Sequence, residues 1–169
     1  MKYKINVITS IFVPILFIFS LAVLTSPKAE ASDEAGEPFE KIEYKTVDRS
    51  DILKQFFNKY NSPLVDHVDT FIEVADKYGI DYRILPAISC VESTCAKFYI
   101  KETYNPFGWG GGKIDYNSFD ESIESVGKGL HKGYISKGLT TVERIAPVYN
   151  PPNPVHWALK VRYFMNQIS

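Results

Sequence analysis

No third cysteine accompanies Cys90 and Cys95, and the three histidines, His67, His131 and His156, lie far apart in the sequence. A structural zinc site needs clustered ligands at short spacings, so no metal is expected and the histidines read as surface or hinge residues. H-E-x-x-H and G-x-S-x-G are both missing, which removes the zinc peptidase helix and the nucleophile elbow of serine hydrolases. The glycines between Gly108 and Gly112 run into Lys113-Ile114, whereas a phosphate loop needs a different spacing and a Ser or Thr after its Lys. No cofactor is expected. An excess of positive charge is missing too: the formal net charge is −1. Without residues 1–31, which hold Lys2, Lys4, Lys28 and Glu30, the remainder carries about −3. No basic field therefore points to nucleic acid, and recognition of a partner should be local and shape-based. Internal repeats and low-complexity tracts are also lacking.

What is present is the composition of a soluble globular domain, 45% hydrophobic and 23% charged over 169 residues. That length suits one domain with accessories. At the N-terminus Lys2 and Lys4 precede an apolar run from Ile5 to Leu24, followed by Pro27 and Ala29-Glu30-Ala31. Charge, apolar run, helix breaker and A-x-A in that order describe a signal peptide of residues 1–31. The other reading is a retained membrane tether through residues 5–24, because about 20 helical residues cross a bilayer core of about 30 Å. Both readings export the rest, to the cell exterior, the wall or the outer face of the cytoplasmic membrane. Residues 32–50, rich in Glu, Asp and Lys with Gly36 and Pro38, read as a flexible linker. The folded domain is expected over 51–169. Cys90 and Cys95 suit an oxidising compartment. They can bridge only if a helix ends between them; otherwise they are two small buried thiols.

Helical signals dominate from Ser50 onward. Ser50 or Asp51 can cap a first helix, and Asn61-Ser62-Pro63 opens a second with Leu64, Val68, Phe71, Ile72 and Ala75 at helical spacing and Gly79 at its end. A third helix is expected from Asp81 to about Ser93. Ser118 to Glu121 and Thr140 to Glu143 have the form of capping boxes. Asn153-Pro154 begins a final helix whose Val155, Leu159, Arg162, Tyr163 and Met165 are expected to pass the core. Between Ala96 and Asn117 the periodicity vanishes among glycines, which predicts a loop or small hairpin of the kind that carries function. The fold class is mainly α, a helical domain with one irregular Gly-rich lobe.

The third helix carries the strongest chemical candidate. Ile84, Leu85, Ile88 and Val91 form an apolar face, and Glu92, four residues after Ile88, falls on it. Apolar surroundings disfavour the charged form of a carboxylate, and a carboxyl kept protonated can donate to a departing glycosidic oxygen. The alternative is a helix-end Glu paired with a cation such as Lys97.

The strings A-I-S-C-V-E-S-T-C-A-K, K-E-T-Y-N-P-F-G-W-G, N-S-F-D-E-S-I and V-Y-N-P-P-N-P-V-H-W-A-L-K-V resemble, in that order, a bacterial glucosaminidase or lytic transglycosylase domain. The resemblance runs from the helix bearing Glu92 to the C-terminus. It implies a lysozyme-like α+β fold with a small lobe across a cleft, and cleavage of the β-1,4 glycan backbone of peptidoglycan. It also implies Glu92 as the catalytic acid, with Ser93, Asn105, Phe107, Gly108 and Tyr149 at the substrate. Glu-Ser-Thr-Cys-Ala at the helix end departs from the Glu-Ser-Gly-Trp-Gly usual in wall glucosaminidases. Phe107-Gly108-Trp109-Gly110 and Tyr149-Asn150-Pro151-Pro152 depart from the Gly-Leu-Met-Gln and Tyr-Asn-Ala-Gly of lytic transglycosylases. The choice between glycosidase (a hydrolase) and transglycosylase stays open.

An ordinary glycoside hydrolase needs a second carboxylate. Glu102 and Asp115, both in the irregular lobe, are the candidates, and Glu102 reads equally well as a solvated loop charge. Without a second carboxylate Glu92 must serve as acid and then as base, with the sugar's 6-hydroxyl or its N-acetyl group completing the reaction. Trp109 is the best sugar platform, with Phe107, Tyr149 and Trp157 nearby in the cleft segments; each aromatic is otherwise core. Tyr149 can orient Glu92 or a leaving group. The expected partner is the peptidoglycan glycan strand, and the protein is expected to act as a monomer. The opposing functional class is a non-catalytic wall-binding or membrane-tethered scaffold.

Overall fold

Asp48 opens the described chain, residues 48–169 of a computed structural model; the expected signal or anchor segment and nearly all of the linker lie outside the described residues. Its carboxylate accepts from the Ser50 N–H, so α1 spans Arg49–Lys59 and starts before the expected boundary. Ser50 is not the cap: its hydroxyl donates to Asp69. Ser62 accepts from the Leu64 N–H and opens a 3-10 turn, Pro63–His67, which leads into α2, Val68–Tyr78. Gly79 ends α2 at φ +63°, a left-handed conformation that costs glycine no Cβ clash.

α3 spans Ile84–Ser93, later than Asp81, because Asp81 folds back on Arg83 through both a backbone and side-chain hydrogen bonds. Pro86 sits in the first turn, where its missing N–H leaves no bond unmade. Every residue from Ile84 to Cys90 is buried. α4, Phe119–Gly133, begins as its sequence suggests, with Ser118 accepting from the Glu121 N–H. Glu121 reaches back one residue past the cap, to the N–H and side-chain amide of Asn117. The second expected capping box does not form. α5, Val142–Tyr149, has Thr141 at its cap without a side-chain bond, because Glu143 is drawn to Arg162 of α6, Pro154–Met165, at 2.7 to 3.0 Å.

The described chain is mainly helical, and it contains no strand. α1 packs on α2, α2 on α4, and α6 on both α3 and α5. Phe57, Phe71, Leu85, Ile88, Ile123 and Ile145 meet in one buried cluster, each contributing about 2 kcal/mol by burial. Exposed ion pairs such as Arg49–Asp76 and Lys77–Glu124 add little to that. α2 and α4 approach closely at Gly127, where an added Cβ would lie 2.2 Å from Val74 Cγ1.

The final helix corrects the expected core face. Val155 and Leu159 are 71% and 64% exposed and Tyr163 faces solvent, while Trp157, Ala158, Val161 and Met165 are buried. Only Met165 of the expected set is fully buried, since the stripe follows residues 157, 161 and 165 at four-residue steps.

Candidate active site

Glu92 stands one residue before the end of α3, and the chain beyond it turns sharply. Thr94, Cys95 and Ala96 all have positive φ, from +55° to +60°, a conformation that costs L-residues about 1 kcal/mol or more each. Local bonds hold the turn. Cys90 and Cys95 form a disulfide, possible because the helix stops between them. The Ser93 hydroxyl donates to the Ser89 carbonyl and accepts from the Ala96 N–H, and Ser62 donates to the Cys95 carbonyl. Backbone strain tied down beside a carboxylate is a frequent mark of a functional site.

The lobe that follows is built on Asn105. Its amide nitrogen donates to the Trp109 and Ile114 carbonyls and its oxygen accepts from the Trp109 N–H. The Tyr116 N–H donates to the Thr103 carbonyl and closes the lobe. Between these points Gly108, Gly110, Gly111 and Gly112 all adopt left-handed backbone. Gly108 lies against Glu92, since an added Cβ would be 3.9 Å from Glu92 Oε2.

The apolar burial expected of Glu92 is not found: the residue is exposed. Its expected helix face is turned to the interior at Ile84, Leu85 and Ile88, while Val91 and Glu92 emerge at its edge. Nor does Glu92 pair with Lys97; its Oε1 accepts from Trp157 Nε1 at 3.1 Å. Trp157 is 3% exposed and stacks on the Tyr149 ring, centroids 4.5 Å apart. Tyr149 in turn meets Trp109 and Tyr134 at 6.1 and 6.2 Å. Burial first, and then the nearby Glu92 charge, raise the Tyr149 pKa well above that of an ordinary tyrosine, so its hydroxyl stays protonated.

Three depressions meet at Glu92. The central one, about 480 Å³, runs past Gly108 to Gly111, Trp109, Tyr149 and Asn150. A smaller arm on one side carries Phe98, Tyr99 and Ile100. A third, on the other side, carries Asn150, Asn153, His156 and Lys160. Glu92 is the only carboxylate lining them among the described residues. Glu102 and Asp115 are exposed and line none of the three. A separate apolar slot between α5 and α6, with Glu143 tied to Arg162, shares no residue with this place.

The expected site residues thus divide by role. Glu92, Phe107, Gly108, Trp109 and Tyr149 border the central depression. Ser93 and Asn105 line the smaller arm but are buried, with their polar atoms spent on the turn and the lobe, and Phe107 backs the central depression from the core, its ring edge-on to Phe71. Sequence reasoning passed over the Trp157 bond to Glu92, although its step to Val161 and Met165 marks it as inward-facing. It also placed His156 merely at the surface and did not single out Lys160. No family model matches the chain, and no curated protein matches it significantly.

Proposed function

We propose that the protein cleaves the β-1,4 glycan backbone of peptidoglycan, with Glu92 as the single general acid, in a lysozyme-like arrangement of helical body and Gly-rich lobe. The observation that carries this reading is a lone carboxylate, without an ion pair among the described residues, where three depressions converge. Trp157 orients Glu92 through its N–H, and the neighbouring Trp109 and Tyr149 rings offer apolar surface to sugar faces. The scaffold alternative, in which Glu92 is locked in a closed ion pair, has no such support. Export through the N-terminal segment, and action at the wall or the outer face of the cytoplasmic membrane, belong to the same proposal.

A lone acid suits a reaction without a second protein carboxylate. Glu92 donates its proton to the glycosidic oxygen as the C1–O bond breaks. Its carboxylate then takes the 6-hydroxyl proton while O6 bonds to C1, leaving a 1,6-anhydro end and consuming no water. Assistance by the N-acetyl group followed by water would instead give an ordinary reducing end. The test is digestion of purified peptidoglycan by the full chain, beside Glu92→Gln, with products weighed. The substitution is expected to lower the rate about 10²- to 10⁴-fold, and an end lighter by one water identifies the transglycosylase route. Wild-type protein that is folded yet releases nothing from several wall types would reject the enzyme reading in favour of binding.

A further inference from the structure

The exposed large apolar side chains of the described chain fall in two groups. Phe98, Ile100, Tyr104 and Ile114 belong to the lobe beside Glu92. Val148, Val155, Leu159 and Tyr163 lie on α5 and α6, a face that glycan cleavage leaves unused. Val155, Leu159 and Tyr163 recur at four-residue steps and form one stripe along α6. Beside the stripe runs the apolar slot, walled by Ala146, Pro147, Pro154 and Ala158. The slot's only charged groups, Glu143 and Arg162, already hold each other. It therefore offers contact with hydrocarbon and little hydrogen bonding, which does not suit a sugar. An apolar surface of this kind on an otherwise polar domain marks a place of interaction.

Charge sets this face apart from the rest of the molecule. All 20 acidic side chains of the sequence precede Arg144, whereas residues 144–169 hold Arg144, His156, Lys160 and Arg162. Arg144 is exposed one turn before Val148, and Lys160 is exposed next to Leu159. A second copy of the chain is a poor occupant, because two such faces would oppose Arg144 and Lys160 with only the paired Glu143 to offset them. An apolar stripe edged by cations suits the interface of an anionic bilayer, with apolar side chains below the headgroups and cations among them. We propose that the α5 and α6 face docks on an anionic lipid bilayer. The tethered reading also brings a bilayer close, since the apolar run ends at Leu24 and the folded domain opens at Asp48.

The test uses the full chain reconstituted in vesicles of phosphatidylcholine, alone or mixed equally with phosphatidylglycerol. An environment-sensitive dye on Val155→Cys reports the face, and the same dye on Lys128→Cys reports α4, which packs on α2 instead. With phosphatidylglycerol the dye at residue 155 is expected to shift to the blue and to be quenched by bromine on the lipid chains, while residue 128 stays unchanged. Leu159→Asp should cut the docked fraction about tenfold. Arg144→Gln should cut it about fivefold, an effect that added salt reproduces. Circular dichroism shows that each variant is folded, and Tyr163→Ser is a second, milder test of the stripe. The same signal in phosphatidylcholine alone, equal signals at residues 155 and 128, or docking indifferent to both Leu159 and Tyr163 overturns the proposal. So does a shift at residue 155 that needs no vesicles and grows with protein concentration, which would assign the face to a second copy. Glycan cleavage stands or falls separately, because the slot shares no residue with the depressions at Glu92.

Discussion

The helical frame and the lobe of residues 94–117 are held together by different forces. The frame rests on a continuous apolar cluster shared by all six helices, so its stability is spread over many side chains. The lobe has few buried apolar groups and depends on individual hydrogen bonds from Asn105, the Ser93 turn, and one disulfide. A dispersed apolar frame tolerates loss at its surface, while a lobe held by single bonds fails at single positions. Glu92 stands at the seam, on a buried helix but facing the lobe.

Asn105→Ala breaks the comparison most directly. It removes three hydrogen bonds and leaves two carbonyls and one N–H without their partner, a cost of about 3 kcal/mol. Amide exchange should accelerate in the lobe and much less in α2 and α4; uniform acceleration would mean that the two regions unfold as one. Gly127→Ala attacks the frame, forcing a Cβ against Val74, and is expected to cost about 2 kcal/mol of stability, read as a lower denaturation midpoint. Gly129→Ala is its counterpart at the seam, since the new Cβ would meet the Trp109 ring at 2.5 Å. Trp109 should swing away, changing tryptophan fluorescence and glycan binding more than global stability. Equal loss of stability from both glycine variants would contradict the division.

Replacing Cys90 and Cys95 by Ser should cost about 2 kcal/mol, the loop-closure entropy of a short ring, and loosen Thr94 to Phe98 before any helix. An unchanged exchange rate there would show that the Ser93 and Ser62 bonds suffice. The smallest effect is alkaline. The fold raises the Tyr149 pKa, whereas in the unfolded chain the hydroxyl ionises near pH 10. Above about pH 10 the unfolded state gives up a proton that the folded state keeps, so stability falls as pH rises; below it this effect is absent. Tyr149→Phe should show a shallower alkaline decline than the wild type. Parallel curves would mean that the hydroxyl is not shielded.

Much of the frame was legible because its signals are local. Ser62-Pro63, Gly79, Ser118 and Asn153-Pro154 mark element ends through side-chain caps at the serines and backbone preferences at glycine and proline, all acting within a few residues. Thr140 to Glu143 misled for a nonlocal reason: Arg162, nineteen residues beyond Glu143, outcompetes the cap. The phase of α6 was misread because Val155, Leu159 and Tyr163 are apolar yet face outward, and composition alone does not say which of two apolar stripes another helix covers. In the site, Glu92 and the glycine lobe stood out by position and by broken periodicity. The roles of Ser93 and Asn105 did not, because a polar side chain near a cleft motif reads alike whether it faces a ligand or its own backbone.

By itself the sequence determined a mainly helical domain, an irregular glycine lobe after the third helix, and a helix-terminal Glu beside it. Those features follow from periodicity, caps and backbone freedom, each acting over a few residues. Only the tertiary structure decided that Trp157 donates to Glu92, that Glu102 and Asp115 stay away, and that Lys160 and His156 share a depression with the carboxylate. Such pairings join residues far apart in the chain, and they are set by which helix faces pack together, which no local pattern encodes.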